Sequence, residues 1–240
     1  MPTSIPSKTL AILQPGYLPW LGFFDQLARS DVFVIYDDVQ FDKHGWRNRN
    51  RIKGPSGPVW LTVPVLHSGK KLPANHQVEI DSRQPWARKH VGTVRQFYAH
   101  APYLHRYLPE LEELLQRSWT LLVDLDLAVI ALLARWLGIK CTLERSSRLG
   151  IGGGQSERLL NHCLHLKASH YLSGAAARDY LDIAVFARHG VEVVWQDYAH
   201  PVYPQQHGAF ISHLSALDLL LNCGEQSSSR LSSPAEPTTS

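Results

Sequence analysis

Residues 9–38 read TLAILQPGYLPWLGFFDQLARSDVFVIYDD, and their pattern decides the fold class. Residues 9–13 form a short unbroken apolar run that stops at Gln14-Pro15-Gly16, a combination that breaks regular structure. Residues 20–30 then place Trp20, Phe23, Phe24 and Leu27 on one helical face. Residues 31–36 open on Asp31 and then run continuously apolar, as expected of a parallel strand covered on both sides.

Outward from this stretch the alternation continues. Residues 46–52 and 59–65 read as two further strands in a hairpin, and 70–76 as an exposed loop. From 87 to 138 the pattern is helical, with breaks at Pro102 and near Trp119. Strands over 140–144, 169–173 and 191–197 then alternate with helices over 156–167, 180–189 and 213–222, the last closed by Gly224. This order predicts an α/β protein with a mostly parallel, Rossmann-like sheet, helices on both faces and a helical insertion over about 86–138. A single domain is expected over 1–224. Residues 225–240, dominated by Ser, Pro and Thr, are expected to be a disordered tail.

The whole chain sets limits on function. It has 240 residues, 44 % of them hydrophobic and 19 % charged, which suits a globular protein with a proper core. Cys141, Cys163 and Cys223 form no C-x-x-C pair, so a reducing compartment is expected, and the start of the chain has no signal-peptide stretch. A cytoplasmic location follows as an expectation. The most apolar run, residues 121–138, contains Asp124, Asp126 and Arg135 and reads as a buried helix, not a membrane insertion. A net charge of +3 does not imply nucleic acid as a partner. The expected partner is a small-molecule substrate. Oligomeric state has no signature in the sequence.

In parallel sheets, ligands sit beyond the carboxyl ends of the strands. That rule directs attention to residues 14–17, 37–38, 145–154, 173–174 and 197–200. In the first loop Gln14, Tyr17 and Trp20 offer donors, an acceptor and flat aromatic surface. Asp37 and Asp38, adjacent carboxylates at a strand end, suit a base or a divalent-metal ligand. With Gln14 and Tyr17 they are the candidate catalytic residues. The segment KHGWRNRNRIK (43–53) sets Arg47, Arg49 and Arg51 at alternate positions, on one face of a strand, with Trp46, Asn48, Asn50 and Ile52 on the other. Three neighbouring guanidinium groups repel unless anions meet them. Asp37, Asp38 and Asp42 are one source of anions; a phosphate or carboxylate ligand is another. Lys43, Trp46, Asn48 and Trp20 join the three arginines as candidate substrate-binding residues.

Two later segments add polar and aromatic groups: Ser173, Gly174 and Tyr180 in YLSGAAARDYLD (171–182), and His200, Tyr203 and Gln205 in HPVYPQQHGAF (200–210). GIGGGQSER (150–158) leads into a helix but lacks the lysine of a phosphate-binding loop. Its glycines would let backbone amides approach an anion at the helix start; the alternative is a flexible loop capped by Ser156. His162 and His165 share a helix face without further ligands in view, so no metal site is assigned there.

The block QPGYLPWLGFFDQLARSDVFVIYDDVQFDKHGWRNRNRIKGPSGPVWLTVPV (14–65), with YLSGAAARDYLD and HPVYPQQHGAFISHLSALDLLLNCG (200–224), resembles the WbqC-like family over nearly the whole folded chain. The resemblance implies a bacterial enzyme of O-antigen (lipopolysaccharide), other surface-glycan or small-molecule biosynthesis, acting on an activated sugar or an acyl or aminoacyl donor. It names no catalytic residues. Any cofactor is left open between a nucleotide or other phosphate-bearing donor and a divalent metal. A second similarity, to nucleotidylyl transferases with the HIGH motif, is one of position: Gln14-Pro15-Gly16-Tyr17 stands where those enzymes carry His-x-Gly-His. Gln and Tyr replace both histidines, and losing one such transition-state donor costs roughly 3 kcal/mol. This similarity therefore implies the Rossmann-like (HUP-like) fold rather than adenylyl transfer.

Overall fold

The structure is a computed structural model and describes residues 7–66 and 73–231. Its strands are β1 (Thr9–Leu13), β2 (Val32–Ile35), β3 (Arg49–Gly54), β4 (Gly57–Thr62), β5 (Val65–Leu66), β6 (Glu79–Ile80), β7 (Thr142–Arg145), β8 (His170–Gly174) and β9 (Glu192–Gln196). The longer helices are α1 (Leu21–Ala28), α2 (Trp86–Phe97), α3 (Leu104–Leu115) and α4 (Leu122–Trp136). After these come α5 (Ser146–Leu149), α6 (Gln155–His165), α7 (Ile183–Arg188), α8 (Ala216–Cys223) and α9 (Ser227–Leu231). The chain divides into two compact units, one of residues 1–14, 26–37 and 141–198, the other of 15–25, 38–140 and 199–240.

The first unit holds a five-stranded sheet in the order β7-β2-β1-β8-β9, with every pairing parallel. The Rossmann-like α/β class expected from the sequence is therefore present. Leu10, Ile12, Val32, Val34 and Tyr171 point to one face, where they meet Leu159, Leu160 and Cys163 of α6 and Phe186 of α7. Ala11, Phe33, Ile35 and Leu172, the alternate residues, are buried as well. Burial on both faces explains why these strands read as unbroken apolar runs. Because all five strands run the same way, their carboxyl ends share one edge, and the strand order reverses direction between β1 and β8.

The second unit combines helices α2–α4 and α8 with the antiparallel hairpin β3–β4. Val91, Val94, Leu108, Leu111, Leu115, Val129, Ile130 and Leu133 supply its helical core. Arg95 to Glu112 (2.5 Å) ties α2 to α3, and Glu110 holds both Arg135 and Trp136 of α4. Among the described residues no helix is long and apolar enough to cross a membrane.

Three local expectations change. The strand expected from 46 starts at Arg49, because residues 42–46 form a turn. Of the loop expected over 70–76, residues 70–72 lie outside the described residues, while Asn75 is buried in a short 3-10 turn. Order also continues past Gly224: α9 ends in buried Leu231, so the stretch expected as tail begins with packed structure. Residues 232–240 lie outside the described residues.

Candidate functional site

The loop after β1 is locked rather than open. Gly16 is required by a close approach: a β-carbon there would sit 2.9 Å from the Trp46 carbonyl oxygen. The Tyr17 amide donates to the Arg47 carbonyl (3.0 Å), Arg47 Nη1 donates to the Pro15 carbonyl (2.8 Å), and Asn50 Nδ2 donates to the Leu18 carbonyl (2.8 Å). These bonds and full burial hold Leu18 at φ 47°, a left-handed conformation that a leucine adopts only under tertiary constraint.

Tyr17 does not face a crevice. It is fully buried, edge-on to Trp86, and its hydroxyl lies 3.0 Å from His90 Nδ1. The His90 ring also bonds the Thr62 carbonyl, which can only accept, so the neutral ring is assigned one N–H toward Thr62 and accepts from Tyr17 at Nδ1. Burial pulls the His90 pKa down to about 4 against the pull of Thr62. Burial, aided by Asp126, pushes the Tyr17 hydroxyl well above its ordinary range, so a catalytic role for Tyr17 has no support in its surroundings. Gln14 directly follows β1, half-buried, in the other unit.

Asp37 is likewise committed. Its carboxylate has no exposure and accepts from Arg145 Nε (2.7 Å), the Ser146 hydroxyl (3.1 Å), and the amide and hydroxyl of Ser147 (2.9 and 2.8 Å). Burial raises its pKa, but the Ser147 and Arg145 bonds outweigh that and hold it below its ordinary value. A carboxylate so saturated is a poor base and has little capacity left for a metal. Its cationic partner is Arg145 at the end of β7, not the arginines of residues 47–51. Asp38 beside it is half-buried and keeps its candidacy. Among the described residues no three His, Cys, Asp or Glu side chains are grouped to hold a metal ion.

The segment 43–53 carries the most distinctive surface. Arg47 leaves the set: it turns inward to Pro15, in the electrostatic field of buried Asp126. Arg49 and Arg51 remain on the outer face of β3, while Asn50 and Ile52 are buried on the inner one. Asn48, just before the strand, also points in and donates to the Val63 carbonyl (2.8 Å). Trp46, expected on the inner side, instead lies 5.2 Å from the Arg51 guanidinium carbon. The cause is the 42–46 turn, in which the His44 amide donates to Asp42 Oδ1 and Arg49 donates from Nε to the Gly45 carbonyl and from Nη2 to the His44 carbonyl.

Trp60 on β4 completes the face. It pairs directly with Arg51 in the hairpin register, its ring is 5.0 Å from that of Trp46, and Arg49 lies 4.6 Å over it. The two indoles are 42 % and 44 % exposed. Among the described residues no acidic side chain forms an ion pair with Arg49 or Arg51, and the Arg51 guanidinium donates no hydrogen bond. Lys43 and His44 are exposed at the neighbouring turn. Lys53, next along the strand face, is buried and donates to the Gly208 and Ala209 carbonyls (3.2 and 2.6 Å).

The remaining candidates fall into separate groups. Trp20 stacks on His213 (5.1 Å), which lies 5.0 Å from His200. Tyr203 and Gln205 are structural: with Tyr98 they donate to buried Asp218 at 2.9, 2.8 and 2.6 Å, pinning residues 203–211. Ser173 is buried at the end of β8, and Gly174 leaves only 3.4 Å between a would-be β-carbon and the Gln26 amide nitrogen. Tyr180 is exposed after β8, while His162 is buried with Nδ1 on the Arg158 carbonyl, as a core position of α6.

The sequence reading missed Trp60, His90 and Lys53, and pointed to the 145–154 loop without giving Arg145 a role. Only Trp60 had a local signal. Gly54-Pro55-Ser56-Gly57 read as a two-residue hairpin turn sets Arg51 opposite Trp60.

The model of the WbqC-like protein family matches residues 14–230. The uncharacterized protein Rv1507c of Mycobacterium tuberculosis is 37 % identical over 221 residues, covering 91 % of this chain and 95 % of that one. No solved structure matches. On the family match and this relative together, the chain belongs to the WbqC-like protein family.

Proposed function

We propose that this protein is a transferase or ligase acting on a phosphate-bearing substrate (a nucleotide-sugar, acyl or aminoacyl donor) in bacterial surface-glycan, O-antigen or related small-molecule biosynthesis. The carrying observation is the outer face of β3–β4, where Arg49 and Arg51 have no acidic partner among the described residues and lie against two half-exposed indoles. Like charges two residues apart on a strand face are unfavourable, and an anion relieves that cost. Guanidinium groups bind phosphate in a two-pronged geometry, so phosphate is the anion favoured here. Asp38, a half-buried carboxylate beyond the end of β2, is the candidate base.

Calorimetry with a nucleotide-sugar tests this. Arg49→Ala should weaken binding about tenfold or more, the worth of a strong charge-assisted contact. Failure of the wild-type protein to bind any phosphorylated ligand would sink the proposal.

The commitment of Asp37 and Tyr17 to their neighbours favours a second reading, a non-catalytic subunit that presents a substrate to a partner enzyme. Turnover assays separate the two. An enzyme releases product from a bound donor and loses that activity in Asp38→Asn, whereas a presenting subunit binds the donor and leaves it intact.

A further inference from the structure

We infer that the phosphate-bearing ligand of the β3–β4 face is a nucleoside diphosphate, with its base stacked on the Trp46–Trp60 pair and its phosphates met by Arg51 and Arg49. This rests on the proposal that the face is a phosphate site, and it adds what the indoles do there.

Trp60 reaches the outer face because it is cross-strand partner to Arg51, and Trp46 because the 42–46 turn delivers it. Their rings lie 5.0 Å apart with a 37° tilt. Aromatic groups at this separation form the start of a stack that a further flat ring extends. Each indole still exposes about two fifths of its surface, 42 % and 44 %. These two rings offer flat surface on which a base can stack.

The arginines decide what docks. Arg51 lies 5.2 and 5.6 Å from the two ring centroids and, among the described residues, its guanidinium donates no hydrogen bond. Its Nε is buried, so the two Nη groups are the donors it keeps for an anion. Arg49 spends Nε and Nη2 on the turn, which leaves Nη1 and the charge. An acyl chain would need an apolar trough without cations. A neutral glycan would stack on indole and leave both guanidinium groups unmet. Pyrophosphate or a simple sugar phosphate would use the arginines and leave the paired indoles idle. A nucleoside diphosphate uses all four side chains: base on indole, phosphates on guanidinium.

The test titrates the full chain with ADP, UDP, inorganic pyrophosphate and adenosine, by calorimetry and tryptophan fluorescence. Both nucleoside diphosphates should quench fluorescence saturably and bind about tenfold tighter than pyrophosphate, the usual worth of a stacked base. Trp60→Ala should erase that margin and leave pyrophosphate affinity unchanged, while Trp60→Phe, which keeps a flat ring, should retain most of it. Arg51→Gln should weaken ADP, UDP and pyrophosphate alike. If pyrophosphate binds as tightly as ADP and ignores Trp60→Ala, the nucleoside assignment fails while the phosphate site survives. If neither pyrophosphate nor either nucleotide binds, both fail. Adenosine binding as tightly as ADP removes the role of the arginines. An eight-thymidine oligonucleotide binding far more tightly than UDP would replace the assignment with a nucleic-acid strand.

Discussion

At the edge of the parallel sheet, Arg145 spends its guanidinium on Asp37, a carboxylate with no exposure that also accepts from Ser146 and Ser147. On the β3–β4 hairpin of the other unit, Arg51 meets indole rings and, among the described residues, no acid. The charge on Arg145 is neutralised inside the fold, and its removal costs stability. The charge on Arg51 has no acidic partner among the described residues, and on the proposed function its removal should cost binding. A polar group at the expected strand end is therefore not by itself a site. What distinguishes a site is hydrogen-bonding capacity the fold has not used.

The strongest way to break this contrast is Asp37→Ala. Removing one partner of a buried pair leaves Arg145 uncompensated, so unfolding free energy from denaturant titration should fall by about 3 kcal/mol. A loss under 1 kcal/mol, on the order of an exposed ion pair, would deny Asp37 its structural role.

Acid titration sharpens the contrast by separating the two units. The pKa of His90 is about 4 when folded against an ordinary 6.5, so the folded state resists protonation that the unfolded chain accepts. Its share of stability is full above pH 6.5 and is lost as pH falls toward 4, by up to about 3 kcal/mol. Asp37, with a depressed carboxyl pKa, adds stability that is present above its ordinary 3.8 and lost only as pH falls below that. His90→Gln should flatten the decline between pH 6.5 and 4 and leave the lower one. Unfolding curves across pH check both.

Next in size is Arg51→Gln. Phosphorylated-ligand affinity should drop about tenfold, while stability moves by under about 0.5 kcal/mol, as for a surface change. A large stability loss would make Arg51 a second Arg145.

The smallest effect is expected for Arg49→Lys. The charge survives, but the fork that holds the His44 and Gly45 carbonyls is lost. Affinity should fall only a few-fold, and fluorescence anisotropy should report a looser Trp46.

Legibility followed the range of the interactions. The central sheet was readable because β1 and β2 are buried on both faces and show it as continuous apolar runs. Arg49 and Arg51 were readable because alternation is a property of any strand. The parity of Trp46 was misread: residues 42–46 look extended in sequence, but the Asp42 turn and the reach of Arg49 fold them back. Asp37 and Tyr17 were legible as strand-end polar residues and misjudged in role. Their partners Arg145 and His90 come from distant segments, 108 and 73 residues away.

The amino-acid sequence by itself determined the parallel α/β class, the family and the pair of outward arginines, because each depends on local periodicity or contiguous blocks. Only the tertiary structure decided which polar groups are already satisfied. Asp37 is closed by Arg145 because β7 lies beside β2. Tyr17 is closed by His90 because α2 passes behind the loop, and Arg51 is left open because Trp60, not an acid, stands across the hairpin from it. Hydrogen-bond saturation belongs to pairs of residues brought together by strand order and register, and neither is written in any one segment of the chain.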